Sequence, residues 1–484
     1  MDHRAGTPFS EAFYLEQWIV EPTRNLLRGE PGDVSIEPKM MDVLVFLASR
    51  AGDVVSKDDI ATVVWADTFV TESVVTRAIA GLRRALRDDA RAPRFIETIA
   101  KRGYRLVVTP TPIEEVAAAA APTTLAAPIT TSSRAVVPAG YPVGQWVSGS
   151  RFYGRARELA ELLDGHRSLI WLLGTRAIGK TSVLRQAEYL TRAGDRFFPL
   201  YWDLQGIDTP AELHEDFLAL LDDSDERLAE LDIEVDATDL FAALRQLRRG
   251  VVKRQRSLLL LIDEAEELIH LARQDPSLLR KMRRALHSAD GIRTVMAAST
   301  RLWQLAEQRD DTSPFLHGLA PPLHVGGLTT DDAVALARQT QADDASRPTI
   351  DTEIACDIAR RAGHHPFLIQ MLCREMLRRG GSHLDEASHL DEASEIVAAD
   401  PAVAFFFQVD HQLLEARDRD LMVQLAASPD GMSLDGLVTA ESERAAVLGG
   451  LLTLERLGLV ERLADQTHRV ASPIRARWLA TLGS

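Results

Sequence analysis

The sequence predicts a multidomain protein of mixed α/β and α+β class, and three observations support that prediction. Its 484 residues exceed what one hydrophobic core usually organises. The segment 109–146 is rich in Pro, Ala, Thr and Ser and has no helical or strand period, which is typical of a linker. From 147 to about 325, nearly continuous apolar runs alternate with helical patterns, as in a parallel sheet that is buried on both faces.

The pattern along the chain predicts five consecutive segments. They are an α+β domain at 1–108, a flexible linker at 109–146, a parallel α/β domain at 147–325, a helical domain at 326–400, and helices ending in a small hairpin at 401–484. Hydrophobic residues make up 46% and charged residues 26%, which excludes a disordered or fibrous chain.

Charge and cysteine content narrow the function classes. The formal net charge of -16 argues against a protein that coats nucleic acid or anionic lipid by bulk charge. Two cysteines are too few for a disulfide framework. No secretory signal pattern is visible, and no run of about 18 apolar residues exists. We therefore expect a cytoplasmic protein with no membrane partner.

In the first segment, TESVVTRAIAGLRRALRDD from Thr71 predicts an amphipathic helix. Its apolar face holds Val75, Ile79, Leu82 and Leu86, and the opposite face holds Ser73, Arg77, Ala80 and Arg84, flanked by Thr76, Arg83 and Arg87. Two strand-like runs then surround a Lys101-Arg102-Gly103 turn. Residues 73–105 hold nine Lys or Arg against three Asp or Glu. Such a patch fits a reader of duplex DNA, and a solvated helix face beside a simple hairpin is the alternative.

The segment from about 13 to 108 resembles the OmpR/ToxR-type winged-helix DNA-binding domain, in particular its CadC-like members. The resemblance rests on Trp18-Ile19-Val20, EPKMMDVLVFLASRAGDVVSKDDI, VVTRAIAGLRRALRDD and FIETIAKRGYRL. It implies a recognition helix in the major groove and a wing near the minor groove. Many relatives have bulkier or basic residues where this chain has Ala80 and Gly81. The implied DNA-binding residues are therefore Thr76, Arg77, Arg83 and Arg84 on the helix, with Lys101 and Arg102 on phosphates.

The second half contains GTRAIGKT at Gly174–Thr181, which fits the GxxxxGK[ST] pattern. An apolar strand run precedes this loop and a helical run follows it, so backbone N–H groups and a helix N-terminus can cradle phosphates. Lys180 is expected to reach the β- and γ-phosphates and Thr181 to offer its hydroxyl to Mg²⁺. The predicted nucleotide-binding residues of the loop and helix start are Gly174, Thr175, Arg176, Ala177, Ile178, Gly179, Lys180, Thr181 and Ser182.

Two further strand ends complete the predicted catalytic set of Lys180, Asp263, Glu264 and Arg301. The run SLLLLIDE ends in Asp263, expected to hold Mg²⁺ through water, and in Glu264, expected to polarise an attacking water. The run RTVMAASTR ends in Arg301, placed to sense a γ-phosphate. A surface turn and a solvated arginine are the corresponding alternatives.

Residues from about 150 to 484 resemble the STAND class of P-loop ATPases, relatives of the AAA+ and NB-ARC ATPases. The resemblance rests on FYGRARE at 152–158, LTTDDAVAL at 328–336, GHHPFL at 363–368 and the C-terminal tail. It implies a P-loop NTPase core, a helical lid at 326–400 and a C-terminal winged helix at 401–484. It also implies ATP or ADP with Mg²⁺ as cofactors, and Pro366 packed on the nucleotide base.

Together these features predict an ATP-dependent transcription regulator. Its N-terminal winged helix-turn-helix would bind double-stranded promoter or operator DNA, and slow ATP hydrolysis would switch the arrangement of a homo-oligomer, with a protein signal partner. One alternative is a STAND ATPase that senses nucleic acid in defence or stress signalling. Another is an adaptor that binds nucleotide without hydrolysing it.

Overall fold

In the computed structural model the chain forms two compact units, residues 1–135 and 136–484. The structure describes residues 9, 12–29, 34–36, 38–64, 72–86, 88, 93–99, 102–112, 141–222, 224–236, 239–286, 291–300, 321–341, 350–380 and 387–482. Among these residues no helix is both long enough and apolar enough to cross a membrane.

Among its described residues, the first unit combines two antiparallel sheets with three α-helices. Its elements are β1 (Phe13–Leu15), β2 (Trp18–Glu21), β3 (Leu26–Gly29), β4 (Val34–Ser35), α1 (Pro38–Ser49), α2 (Lys57–Val64), α3 (Glu72–Leu86), β5 (Ile96–Ile99), β6 (Gly103–Leu106) and β7 (Thr111–Pro112). One sheet has the order β4-β3-β2-β1-β7, and β5 and β6 form a hairpin. Alternating side chains of β1 and β2 are buried, so these short strands cover the helices with one apolar face.

Both described ends of the segment 109–146 are ordered, whereas the sequence predicted a flexible linker there. Thr111–Pro112 forms β7 and pairs with β1, because backbone hydrogen bonds extend the sheet past residue 108. Tyr141 is buried in the second unit, and its hydroxyl donates a hydrogen bond to the carbonyl of Ala337. Residues 113–140 lie outside the described part of the chain.

The second unit is built on a five-stranded parallel sheet with helices on both faces. Its core elements are α4 (Ala156–Asp164), β8 (Leu169–Gly174), α5 (Lys180–Arg192), β9 (Phe197–Asp203), α6 (Pro210–Asp222), α7 (Asp225–Glu230), α8 (Leu240–Lys253), β10 (Ser257–Asp263), α9 (Glu267–Gln274), α10 (Pro276–Leu286), β11 (Ile292–Ala298) and β12 (Leu323–Val325). The strand order is β12-β8-β11-β10-β9. Helices α4 and α5 cover one face, and α6 to α10 cover the other.

The remaining elements that the structure describes are helical except for one hairpin. They are α11 (Thr330–Arg338), α12 (Thr352–Arg361), α13 (Pro366–Gly380), α14 (Ala387–Ala399), α15 (Pro401–Gln412), α16 (Ala416–Ala426), α17 (Leu434–Leu437), α18 (Arg444–Arg456), β13 (Val460–Arg462), β14 (His468–Val470) and α19 (Pro473–Ala480). We call α15 to α19 with the β13–β14 hairpin the C-terminal domain. Strands β13 and β14 pair with each other, which fits the hairpin predicted near the end of the chain. A separate isolated bridge joins Met432 to His468.

Candidate DNA-binding and nucleotide-binding sites

Helix α3 of the first unit docks through the apolar face that its sequence predicts. Val75, Ile79, Leu82 and Leu86 are at most 1% exposed, which confirms that prediction. Gly81 lies against α1, where an added Cβ atom would collide with the sulfur of Met40. A bulkier residue at this position would force the Met40 side chain to move, so the glycine lets Met40 pack against α3.

The β5–β6 hairpin forms a wing beside α3. Gly103 has φ 127°, and a Cβ atom there would collide with the carbonyl of Val55, so the turn requires glycine. Val55 and Tyr104 exchange two backbone hydrogen bonds of 2.8 and 2.9 Å, which attach the wing to the domain. Arg102 is exposed at the tip, and Lys101 lies outside the described residues.

Two of the four predicted DNA-binding residues on α3 contact the wing. The Arg83 guanidinium donates to the carbonyl of Ile96, at 2.8 Å from Nη2 and 3.3 Å from Nε, and to the hydroxyl of Thr98 at 2.8 Å. The Tyr104 hydroxyl donates to Oγ1 of Thr76 at 3.3 Å. Arg83 therefore positions the wing, a role that the exposed-face prediction missed. The other two, Arg77 and Arg84, have side chains outside the described part of the chain.

Asp88 lies just beyond the end of α3, and sequence reasoning did not single it out as a functional residue. Its carboxylate accepts the backbone N–H groups of Arg94 at 2.6 Å, Phe95 at 3.3 Å and Ile96 at 2.8 Å. The only local sign of this role in the sequence is that an acidic residue stands a few positions before a strand. Asp88 joins the end of α3 to the start of the wing, so it fixes the angle between the two elements.

In the second unit, the strand–loop–helix order of the phosphate loop is confirmed. Strand β8 ends at Gly174, and α5 begins at Lys180 with Gly179 at φ 103° as its N-cap. Ala177 takes φ 50°, a left-handed conformation that favours glycine. The Lys180 ammonium donates to the carbonyls of Gly174 at 3.2 Å and Thr175 at 3.0 Å. The loop thus presents backbone N–H groups and a lysine to an anion.

The first of the two carboxylates at the end of β10 is Asp263, which is 2% exposed. Tyr201 donates its hydroxyl to Asp263 at 2.9 Å, and the neighbouring Thr181 hydroxyl acts to lower the pKa of this carboxylate. Burial raises the pKa of Asp263, and the neighbouring charge of Asp203 adds to the rise. Asp203 faces Asp263 across the parallel register of β9 and β10, and sequence reasoning missed it because its strand carries no recognisable motif.

The second carboxylate, Glu264, has φ 49° and lies at the same edge of the sheet. Burial raises the pKa of Glu264 to about 8, with smaller contributions from Glu266 and Asp263. The next strand, β11, leads into Ser299, whose N–H donates to Glu266 at 3.2 Å. The buried Ser299 hydroxyl has no hydrogen-bond partner among the described residues, while Arg301 lies outside them.

Arg155, in the segment ahead of the loop, connects the loop to the helices that follow the sheet. It is 7% exposed and donates to the carbonyls of Ile178 at 3.0 Å and Gly327 at 3.5 Å. Burial lowers the pKa of Arg155 to about 10. Pro366 begins α13, and the Gly363 turn before it packs on the backbone of 471–472 in the C-terminal domain. The predicted base-contacting turn is thereby attached to that domain.

A buried ion pair from the C-terminal domain also reaches the loop. Asp410 on α15 accepts the backbone N–H of Arg176 at 3.0 Å with Oδ1 and a hydrogen bond from Arg475 at 3.0 Å with Oδ2. The two side chains are 2% and 5% exposed, respectively. The Arg475 guanidinium lies over the Phe407 ring, 4.5 Å from its centroid. Sequence reasoning missed both residues, because no local pattern joins positions 234 residues apart.

The residues at this edge of the sheet fit a nucleotide with Mg²⁺. The Thr181 hydroxyl and the Asp263 carboxylate are neighbours, and both offer the oxygen ligands that Mg²⁺ prefers. The buried Thr175 hydroxyl has no partner among the described residues. In the same described part of the chain, no group of three or more His, Cys, Asp or Glu side chains is arranged to hold a metal by itself.

Comparison with known families finds a match within each unit. Residues 29–106 match the family described as "Transcriptional regulatory protein, C terminal", and residues 163–306 match the family described as "AAA domain". The chain has a winged-helix DNA-binding domain followed by a P-loop ATPase domain. The match to the DNA-binding family rests on the α1-to-wing segment, and the second match includes the phosphate loop and both strand ends.

The relatives of the DNA-binding domain are transcription factors. The transcriptional activator CadC of Escherichia coli is 40% identical over 19% of this chain and 18% of its own length. The transcriptional regulator HilA of Salmonella typhimurium is 41% identical over 22% of this chain and 19% of its own length. The chain thus spans about a fifth of the length of these relatives.

A solved structure of a Walker-type ATPase from Pyrococcus abyssi is 17% identical to this chain. The match covers 68% of this chain and 96% of the ATPase chain, with a TM-score of 0.48.

Proposed function

We propose that the chain is an ATP-dependent transcription regulator of the STAND class, in which the nucleotide state of the ATPase controls DNA binding by the N-terminal domain. The observation that supports it most directly is the presence, in one chain, of a winged-helix DNA-binding domain and a nucleotide site with Lys180, Asp263 and Glu264 at one edge of the sheet. The transcription factors CadC and HilA share the first domain and support a role in transcription.

In this proposal, the loop N–H groups and Lys180 hold the phosphates of ATP or ADP, and Thr181 and Asp263 hold Mg²⁺. Held there, Mg²⁺ would supply positive charge that offsets the charge on the phosphates during hydrolysis. Glu264 polarises the attacking water when it is ionised. Pro366 packs on the base, and Arg301 senses the γ-phosphate.

On the DNA side, we propose that Thr76, Arg77 and Arg84 approach base edges while Lys101 and Arg102 hold phosphates. A homo-oligomer assembled by the ATPase would present several such domains and raise avidity without new base contacts. A protein partner supplies the signal, and the protein works in the cytoplasm, where it meets both chromosomal DNA and ATP.

The test measures DNA binding by the full chain with and without a non-hydrolysable ATP analogue. Lys180→Ala should remove the effect of nucleotide, because the loop loses its phosphate-binding ammonium. Arg84→Ala should lower DNA affinity, with Arg24→Ala as a matched control, since Arg24 is paired with Glu21 outside the helix and the wing. Unchanged nucleotide dependence in Lys180→Ala would refute control by the ATPase.

The same assay separates promoter reading from nucleic-acid sensing. A promoter reader should prefer its operator over random duplex by about 10³ or more. Equal binding to any duplex, together with stimulated ATP hydrolysis, would favour the sensing function instead. A Glu264→Gln protein that hydrolyses ATP at the wild-type rate would indicate an adaptor whose nucleotide is structural.

A further inference from the structure

We propose that the outer surface of α8 and α10 is a second DNA-binding surface, which contacts the phosphate backbone of duplex DNA without reading its sequence. The surface is defined by four exposed arginines, Arg245 and Arg249 on α8 and Arg280 and Arg284 on α10, and we call it the arginine face. The inference adds a DNA contact by the ATPase domain to the proposed function, and it rests on that function only for the presence of DNA.

The two helices carry charge of a single sign. Together α8 and α10 contain eight Lys or Arg and no Asp or Glu, in a chain that has 71 Asp or Glu against 55 Lys or Arg. The surface of a soluble protein usually mixes both signs, as α12 does with two acidic and two basic residues. A surface of one sign attracts a partner of the opposite charge, so this one favours a polyanion.

The fold places the two helices next to each other. Helix α8 leads into β10 and α10 leads into β11, and these strands are parallel neighbours in the sheet. Leu247 of α8 and Met282 of α10 are fully buried in the same core, and the two helices pack against each other. Their outer sides therefore form one surface, on the face of the sheet opposite α5, the helix that begins at the phosphate loop.

The four arginines have no acidic partner of their own. None of them makes an ion pair or a side-chain hydrogen bond within the described part of the chain, whereas two cations at the border of the face, Arg254 and Lys281, are paired with Asp232 and Asp275. The arginines on each helix are four residues apart, so like charges are neighbours on one helix face and slightly destabilise it. A bound polyanion removes this repulsion.

The spacing and chemistry of the face fit a phosphate backbone. Side chains four residues apart on a helix are separated by about 5–6 Å, and packed helices by roughly 8–10 Å. Phosphates of one DNA strand follow each other every ~3.4 Å along the helix axis, so the face covers several of them. A guanidinium binds phosphate through a fork of N–H donors, and such contacts need no pocket and read no bases.

Duplex DNA is favoured over an acidic protein because the same chain carries a winged-helix DNA-binding domain. DNA held by that domain is tethered to the ATPase domain, so its effective concentration at the arginine face is high. Four phosphate contacts that are weak by themselves then add to the affinity of the whole chain.

The experiment measures binding of the full-length protein to a random-sequence duplex over a series of KCl concentrations, with and without a non-hydrolysable ATP analogue. Each phosphate contact contributes about 0.9 to the slope of log affinity against log salt concentration. The double variants Arg245→Gln/Arg249→Gln and Arg280→Gln/Arg284→Gln should therefore each lower the slope by about 2. Arg360→Gln/Arg444→Gln is the matched control, because it removes the same charge from exposed arginines that are paired with Asp357 and Asp435 on other helices.

The control should leave the slope unchanged. Slopes that stay unchanged in both double variants, or that fall equally in the control, would overturn the inference. The two variants alter different helices, so either one decides the question if the other does not fold. If they lower the molar mass of the DNA-free protein and leave the slope unchanged, the face binds a second copy of the chain, which also overturns the assignment to DNA.

The same measurements separate this inference from the proposed function. Lower slopes in the double variants, together with DNA binding that does not depend on nucleotide, would support the arginine face and refute control by the ATPase. Nucleotide-dependent binding with unchanged slopes would refute only the arginine face. A wild-type protein that does not bind duplex DNA would refute both.

Discussion

Asp88 offers a direct test of how the DNA-binding domain holds its wing. In Asp88→Ala, the amides of Arg94, Phe95 and Ile96 lose their carboxylate acceptor. A hydrogen bond to a charged group contributes about 1.5–3 kcal/mol. The Asp88 side chain is partly exposed, and one group makes all three bonds, so we expect a total loss of about 3 kcal/mol rather than three full contributions.

Hydrogen exchange in the full chain measures this loss where it occurs. About 3 kcal/mol corresponds to a rise of roughly two orders of magnitude in local opening, so amides at the start of β5 should exchange about 100-fold faster. DNA affinity should fall as well, since the wing carries Arg102. Asp59→Ala is the control, because Asp59 bonds only with Ser56 at the start of α2 among its described contacts. Wing amides that exchange equally in Asp88→Ala and wild type would refute the reasoning.

Three other substitutions test separate parts of the structure. Gly103→Ala should destabilise the wing and lower DNA affinity, because its φ of 127° and the nearby Val55 carbonyl exclude a Cβ atom; thermal unfolding and DNA titration would check it. Tyr201→Phe should raise the Mg²⁺ concentration needed for half-maximal ATP hydrolysis, because Asp263 loses a positioning hydroxyl, while ADP affinity stays unchanged. Burial makes the largest contribution to the raised pKa of Asp418, and the charge of Glu415 raises it further. The folded protein therefore favours the protonated form of Asp418. Stability from this group is therefore present below the ordinary aspartate pKa and is lost as pH rises through the raised value; Asp418→Asn should reduce that loss, as judged by unfolding midpoints at acidic and neutral pH.

The parts of each site that sequence reasoning predicted are those that a local pattern encodes. Apolar residues at every third or fourth position correctly predicted that Val75 and Leu86 are buried on one face of α3. The loop motif correctly predicted the order of strand, loop and helix. These features depend on neighbours within a few positions, so composition and spacing are sufficient. The linker ends were less predictable, because pairing of β7 with β1 depends on a strand almost a hundred residues earlier.

Contacts between distant segments could not be read from the same patterns. Arg83 looks like any cation on a polar helix face until the hairpin folds back and its guanidinium finds the carbonyl of Ile96. Asp410 and Arg475 lie in ordinary helical sequence, and only the tertiary fold brings them to the phosphate loop. Their buried charges are the informative observation, because an exposed aspartate at the same position would imply nothing about the loop.

The contact of Arg83 with the wing bears on why DNA binding would depend on assembly. The chain has a net charge of -16, and the basic stretch of its DNA-binding domain, 73–105, is small. Arg83 is bound to Ile96 and Thr98, Arg94 is paired with Glu16, and Arg105 is paired with Glu97 at Nε–Oε2 3.0 Å. At least three of its nine cations therefore already have partners within the domain. Each phosphate contact contributes to affinity by releasing counterions, so fewer available cations mean weaker binding and a shallower salt dependence for a single domain. Tight binding then requires several domains on one DNA, and an ATPase that controls their assembly would control occupancy without changing any base contact.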